Sequence, residues 1–322
     1  MAARAGVSVA TVSYVVNGLE GRVGARTRER VLAAVTELGY VPNSSARGLR
    51  TQRTEQFCLV TDEIGVPAND QLARDLHDAA DRVGYGMMTL LADSLPRARQ
   101  VCDALRARIA DGVVVISRHL HEADVAALAR TGLPMVVLSN ALRPDGFDVV
   151  RTPVRAACAE AIDHLCRSGR RRIAFVGHDH DLGTDSERMR AYTDVLRAHG
   201  QRVDPGLLVT GANDRVSGYR AAYELLFADD PPDGIFAASD RSAISAIWAA
   251  RDAGRTVPED VAIVGVGNLP EGLIVRPRLS TVGPPVLDYS DVPRLLLDRI
   301  ERPGREAIEH SLTWHFIPRE SA

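Results

Sequence analysis

The run His178-Asp179-His180-Asp181 follows an apolar stretch, Ile173-Ala174-Phe175-Val176. Imidazoles and carboxylates at a strand end could ligate a metal ion. A polar loop is the better reading, and the same holds for His119 and His121 around Leu120. Cys58, Cys102, Cys158 and Cys166 are scattered, without a CxxC or metal-ligand spacing. Neither a zinc site nor a disulfide framework is expected, and a reducing cytosol is the natural compartment. Gly265-Val266-Gly267 is a fragment of a dinucleotide fingerprint that lacks its third glycine and comes too late in the chain. No GxSxG or other nucleophile arrangement is present. The expectation is a protein that is not an enzyme and has no metal or cofactor.

The chemistry that remains is recognition, and charge says where. The 322 residues carry a net charge of −3, and all 39 basic residues are arginine. Residues 1–53 hold eight of these arginines against three glutamates, a net of +5, so the remainder carries −8. A basic head on an acidic body points to a polyanion contact confined to the head. No stretch of about 18 apolar residues suggests a membrane span, and the N-terminus has no secretion signal pattern.

Within the head, residues 2–18 read as helix, turn, helix. Gly6 breaks a short alanine-rich helix, and Ser8 stands where a hydroxyl can cap the next one. Val12, Val15 and Val16 share one apolar face, while Val9, Ala10, Ser13, Tyr14 and Asn17 lie toward the other. Gly18 is a good C-cap. A third helix is predicted over 27–38, with Val31, Leu32, Val35 and Leu38 as its buried stripe. Asn43 can cap a very short helix over 44–50, too short to stand alone in water. Leu49 on that helix is apolar and has no partner within so small a head.

From Gln56 onward, apolar strands alternate with helices. Strands are predicted at 57–60, 87–91, 112–116 and 135–138, with helices near 70–83, 96–110 and 122–131. A second set has strands at 173–176, 234–237 and 261–264 and helices near 154–168, 185–199, 216–228 and 240–253. Such alternation indicates parallel sheets covered on both faces. Two sets make two doubly wound lobes, with ligands bound at the carboxyl ends of the strands between them.

The head resembles the DNA-binding head and hinge of the lactose-repressor (LacI/GalR) family. The matching strings are Ala5-Gly6-Val7-Ser8, Thr11-Val12-Ser13, Asn17-Gly18, Thr27-Arg28, Gly39-Tyr40, Pro42-Asn43, Ala46-Arg47 and Leu49. The body is similar to that family's periplasmic-binding-protein-like effector domain, through Ala110-Asp111-Gly112-Val113, Ser186-Glu187-Arg188, Ala238-Ser239-Asp240 and Val257-Pro258-Glu259-Asp260-Val261. The resemblance implies a small all-α helix-turn-helix head over 1–42, a hinge helix and linker over 43–54, and an α/β two-lobed body over 55–322. Lobe one would take about 55–153 and 283–311, and lobe two about 154–282 and 312–322.

By the same resemblance, the helix from Ser8 to Asn17 enters the major groove of double-stranded DNA. Val9 and Ala10 would meet base edges such as thymine methyls, and Ser13 a base or a phosphate. Ser8, Thr11, Asn17 and the amide of Thr27 would hold the phosphate backbone. The hinge, with Asn43, Ala46, Arg47 and Leu49, would pair with its twin in the minor groove, where Leu49 wedges between base pairs. The family usually has arginine at the position of Tyr14, and tyrosine cannot make the two-pronged grip on guanine. The family's first helix also begins several residues upstream: either a start codon upstream of Met1 completes it, or Met1 is the true start and the head has only about one turn of its first helix.

Arg188, Asp240, Asn268 and, from the other lobe, Asn69 are the implied effector contacts. Arg188 would hold hydroxyls or a carboxylate, and Asp240 would accept from hydroxyls. Where the family carries Gly-aromatic-Asp-Asp, this chain has Gly265-Val266-Gly267-Asn268. The acidic clamp for vicinal hydroxyls is missing, and simple neutral sugars are expected to bind weakly or not at all. The expected protein is a cytoplasmic, ligand-responsive transcriptional regulator, a repressor by the family's commoner mode. It would bind a pseudo-palindromic operator as a homodimer, since the sequence ends without a leucine heptad tail. The alternative is a cytosolic two-lobed small-molecule-binding protein that has lost DNA binding.

Overall fold

The computed structural model describes residues 1–16, 21–39, 53–182 and 186–322. The chain divides into two compact units, 1–55 and 56–322. In the first unit the described helices are α1 (Ala2–Ala5), α2 (Val9–Val16) and α3 (Ala25–Glu37). Gly6 ends α1 with φ 61, a left-handed conformation that a side chain would disfavour. Ala5, Val15, Val31 and Ala34 are buried, with Val7, Val12, Val23 and Val35 packed around them. Leu32 and Leu38 do not join this core: they are 46% and 51% exposed. The predicted stripe is corrected to Val31, Ala34 and Val35. Leu32 lies about 100° round the helix from Val31, off the Val31–Ala34–Val35 stripe, and Leu38 is the C-cap at the end of α3.

The second unit contains two six-stranded sheets. The first is built from β1 (Gln56–Thr61), β2 (Gly86–Leu91), β3 (Gly112–Ile116), β4 (Met135–Leu138), β5 (Asp148–Arg151) and β11 (Glu309–Ser311). Its order is β11-β5-β4-β3-β1-β2, and every pair is parallel. The second takes β6 (Ile173–His178), β7 (Leu208–Gly211), β8 (Gly234–Ala237), β9 (Ala262–Val266), β10 (Ser280–Gly283) and β12 (His315–Ile317). Its order is β12-β10-β9-β8-β6-β7, with β12 antiparallel to β10 and the rest parallel.

The helices are α4 (Pro67–Val83), α5 (Leu95–Arg106), α6 (Glu122–Ala129), α7 (Val154–Arg167), α8 (Glu187–Ala198), α9 (Arg215–Leu226), α10 (Asp240–Asp252) and α11 (Asp291–Glu301). Apolar cores lie on both faces of each sheet. The near-continuous valine and isoleucine runs of the central strands follow from this, because neither face of those strands meets water. Each sheet reverses its winding once, between β1 and β3 and between β6 and β8. The loops leaving these four strands splay apart, and doubly wound sheets bind ligands in the crevice so opened.

Below the first sheet, Asp148 is wholly buried and carries two arginines. Arg299 Nη1 lies 2.8 Å from its Oδ1, Arg305 pairs with its Oδ2, and the Ile308 amide donates to Oδ1 at 3.0 Å. This cluster ties β5 to α11 and to the segment that leads into β11. The four cysteines are free and buried. Burial pushes the Cys58 and Cys158 thiols up to about 12, so they behave as packing groups. No described helix is long and apolar enough to cross a membrane.

Candidate nucleic-acid interface and ligand cleft

The head presents α2 on a rigid base. The Thr11 amide donates to Ser8 Oγ at 3.1 Å, and the two hydroxyls lie 2.8 Å apart. Ser8 thus caps α2 and satisfies one of its free first-turn donors. Arg30 on α3 clamps the end of α1, with Nε 3.2 Å from Ala5 O and Nη2 3.1 Å from Gly6 O. Ser8, Val9, Ala10 and Ser13 are exposed together on one face. Val9 is 77% exposed, an apolar side chain that the head's own core does not use.

Tyr14 is half-buried, and the Arg22 guanidinium sits 5.7 Å from its ring centroid, a cation–π contact. The Thr27 amide donates to Gly24 O at 3.0 Å, closing the first turn of α3. It is not an open donor for phosphate, which leaves the Thr27 hydroxyl. Asn17, Asn43, Ala46, Arg47 and Leu49 lie outside the described residues.

In the body, two hydrogen bonds join carboxyl-end loops of one sheet to those of the other. Arg241 Nη2, at the start of α10, donates to Gly65 O after β1. Asn140 Nδ2, after β4, donates to Glu187 Oε2 at 2.8 Å, at the start of α8. The cleft of the doubly wound pair therefore lies between these loops, with the first bond linking the switch strands β1 and β8.

On the first-sheet side, Asn69 Nδ2 donates to Thr61 Oγ1 at 2.9 Å and to Glu63 O at 3.1 Å. It stitches the β1–α4 loop. Asp62 Oδ2 accepts from the Arg118 amide at 2.9 Å and lies 3.2 Å from its guanidinium, while Oδ1 is buried without a hydrogen-bond partner. On the second-sheet side, Asp181 is the organising group. It accepts from the His178 amide at 2.9 Å and Ser186 Oγ at 2.8 Å, with Arg188 Nη1 at 3.8 Å. Burial pushes its carboxyl up, but the His178 hydrogen bonds and the Arg188 charge outweigh burial and hold it well below the usual range. His178 Nε2 lies 3.4 Å from Ser239 Oγ, the N-cap of α10. Among the described residues no three His, Cys, Asp or Glu side chains are placed to hold a metal ion.

Asp240 is not a cleft acceptor in this structure. It is 0% exposed, with Oδ2 receiving the Leu269 amide at 2.6 Å and Oδ1 receiving Thr281 Oγ1. As the first residue of α10 it points back onto β10 instead of outward. Asn268 is also committed. Its Nδ2 donates to Pro284 O at 2.8 Å and Pro285 O at 3.2 Å, and Arg319 donates to its Oδ1 at 2.5 Å. Arg188 is partly exposed, and its Nε is buried without a hydrogen-bond partner among the described residues. Arg241 is the cleft residue that sequence reasoning missed, although it is the next residue after Asp240 in the same strand-end string.

Burial raises the Asp240 carboxyl to about 6, against the pull of Thr281 and the Leu269 amide. Between the usual carboxylate value and 6 the folded state holds more protons than the unfolded one, so stability falls as pH rises from about 4 to 6. The expected cost is on the order of 3 kcal/mol. Asp240→Asn keeps an acceptor for Leu269 and a donor for Thr281, so its unfolding free energy should lack this fall. Asp181 acts the other way, contributing stability that is lost only as pH drops below about 4. Denaturant midpoints of parent and variant at pH 4, 5 and 6 check this; parallel curves would place the titration elsewhere.

A basic three-helix head with a capped, exposed recognition helix, joined to a two-sheet body with an interlobe crevice, defines a ligand-sensing regulator of transcription. Residues 1–43 match bacterial regulatory proteins of the lacI family, and residues 162–322 match the periplasmic binding protein-like domain. The sequence is 32% identical over 300 residues to catabolite control protein A of Staphylococcus xylosus, covering 93% of this chain and 90% of that protein. The transcriptional regulator CelR in complex with cellobiose superposes with a TM-score of 0.70 at 31% identity, covering 100% of this chain and 98% of that one. The lac repressor dimer bound to operator and an anti-inducer superposes with a TM-score of 0.81 at 22% identity, over 99% and 97% of the two chains. The chain belongs to the lacI family of bacterial regulatory proteins.

Proposed function

We propose that this protein is a repressor that grips a pseudo-palindromic operator as a homodimer and releases it in response to a small metabolite held between the lobes. The observation that carries the reading is the exposed face of α2, where Val9 stands open to solvent beside the Ser8–Thr11 cap. Val9 and Ala10 contact base edges, Ser8, Thr11, Ser13 and the Thr27 hydroxyl hold the duplex, and Arg22 stands behind Tyr14. A gel shift on the DNA upstream of its own gene, with unrelated DNA as competitor, tests it. Equal affinity for both DNAs would sink the reading.

Self-association is placed on the second lobe. Ile244, Ile247 and Trp248 of α10, with Ile274 and Val275, line an open groove of about 610 Å³. Trp248 is 45% exposed, Leu273 51% and Ile274 75%. An apolar patch of this kind on a regulator that needs two heads marks the surface where copies meet.

Leu49 is assigned to the minor groove at the operator's centre. Unstacking one base step costs a few kcal/mol, offset by the contacts that a bent site permits. Leu49→Ala is expected to lose about tenfold in operator affinity, roughly 1.4 kcal/mol, with little change for random DNA, whose binding rests on arginine–phosphate contacts. A circular-permutation assay giving equal bend and affinity for variant and parent would remove the wedge role.

A further inference from the structure

We infer that the cleft takes an anionic, hydroxyl-bearing metabolite, a sugar acid or sugar phosphate, and that Arg241 is the residue that selects it over a neutral sugar. This rests on the reading of the body as an effector receptor. It starts from what the second-sheet wall can offer a ligand. Acceptors there are scarce. Asp240 is enclosed with both carboxylate oxygens bonded, Gly267 has no side chain, and the Asn268 amide is committed to Pro284, Pro285 and Arg319. The hydroxyls of a neutral sugar both donate and accept, so they can use the wall's arginines, but their protons meet few free acceptors there.

Donors are plentiful and two of them are cationic. Among the described residues Arg241 bonds only to main-chain carbonyl oxygens, Gly65 O and, at 3.3 Å, Asn213 O. Among the described residues no carboxylate pairs with it. Arg188 has one described carboxylate partner, at 3.8 Å, and leaves its buried Nε without a hydrogen bond. Among the described residues of these loops, Asp62 Oδ2 pairs with Arg118, Asp181 accepts from His178 and Ser186, and Glu187 accepts from Asn140. Arg241 is the guanidinium at this seam whose described partners are all neutral oxygens.

A carboxylate or phosphate supplies what Arg241 lacks. Charge-assisted hydrogen bonds are about twice as strong as neutral ones, and the guanidinium fork binds an oxyanion with two parallel bonds. Such a group displaces the neutral Gly65 carbonyl, and with it one of the two described hydrogen bonds that join the carboxyl-end loops of the two sheets. Occupancy would thereby exchange a lobe–lobe bond for a ligand bridge. Two buried acceptors left without partners, Asp62 Oδ1 and Asn213 Oδ1, suit hydroxyls on the same ligand.

The test is calorimetry on the full chain with glucose, gluconate and glucose 6-phosphate, repeated with Arg241→Gln and Arg241→Lys. At least one anionic probe should bind about tenfold or more tightly than glucose, with an affinity that falls as salt rises. Arg241→Gln should erase that preference, and Arg241→Lys should restore part of it. Glucose binding as tightly as both anions, or an anion preference that survives Arg241→Gln, would overturn the inference. Operator binding by the unliganded parent is measured in the same preparation. A parent that binds its operator but prefers glucose leaves the regulator intact and removes only the anion; a parent without specific DNA binding removes the regulator itself.

Discussion

Replacing Trp248 with glutamate should turn the protein into a monomer at concentrations where the parent is dimeric. Trp248 stands 45% exposed on α10 beside Ile244 and Ile247, facing the groove shared with Ile274. Buried aromatic anchors at interfaces are worth about 2 kcal/mol or more when truncated. In a two-fold interface each substitution acts twice, so the loss reaches about 4 kcal/mol. At 1.4 kcal/mol per factor of ten, that weakens the dimer by several hundredfold or more. A carboxylate in place of the indole adds a charge that must be stripped of water to restore the contact. Operator affinity falls with the dimer, because one head holds only one half-site. Trp248→Phe, which keeps an aromatic ring, should stay dimeric. Sedimentation equilibrium over a range of concentrations reads the result; a Glu variant with the parent's mass would move the interface to another surface.

Asp148→Ala should be the most damaging single change to the body's stability. Asp148 is 0% exposed and Arg299 only 7%, with their charged atoms 2.8 Å apart. Removing one partner of a buried pair leaves the other charge uncompensated, at a cost of about 3–5 kcal/mol. Here Arg299 loses its anion, Arg305 is left with Asp298 alone at 2.8 Å, and the Ile308 amide loses its acceptor as well. A well-packed apolar replacement of both Asp148 and Arg299 should cost less than Asp148→Ala alone, since neither charge is then stranded. Urea unfolding of the parent and the two variants checks the order. An Asp148→Ala midpoint equal to that of the parent would mean that water reaches the arginines.

The strongest sequence signals were local ones. Near-continuous apolar runs such as Val113-Val114-Val115 and Ile173-Ala174-Phe175-Val176 marked central strands to within a residue or two of β3 and β6. β11 carried no such signal, because Glu309-His310-Ser311 is a polar edge strand with two exposed residues. β5 escaped notice for a related reason: its four residues begin and end on charge, and Asp148 is buried only because Arg299 and Arg305 meet it from more than 150 positions away. The candidate site divides in the same way. The strand-end string Ala238-Ser239-Asp240 was legible as a cleft element, but not which side chain there faces the crevice. That choice is made by Thr281 and the Leu269 amide, which draw Asp240 inward and leave Arg241 to reach Gly65, 176 residues earlier.

The two sheets also constrain the order in which the chain can mature during synthesis. β11 and β12 are only three residues apart, yet β11 completes the first sheet beside β5 and β12 the second beside β10. Ser321 reaches further in, with its hydroxyl on Ile263 O at 2.6 Å and its carbonyl accepting from the Ile263 amide at 2.7 Å. Neither lobe can close its sheet until residues 309–321 have left the ribosome. A nascent chain that has already made β1 to β10 carries two open sheet edges at once, a state prone to mispairing with neighbours. The head, whose described helical contacts span fewer than forty residues, has no such wait and can form early. A growing chain would then hold a shaped DNA-reading module long before it has a body able to sense anything.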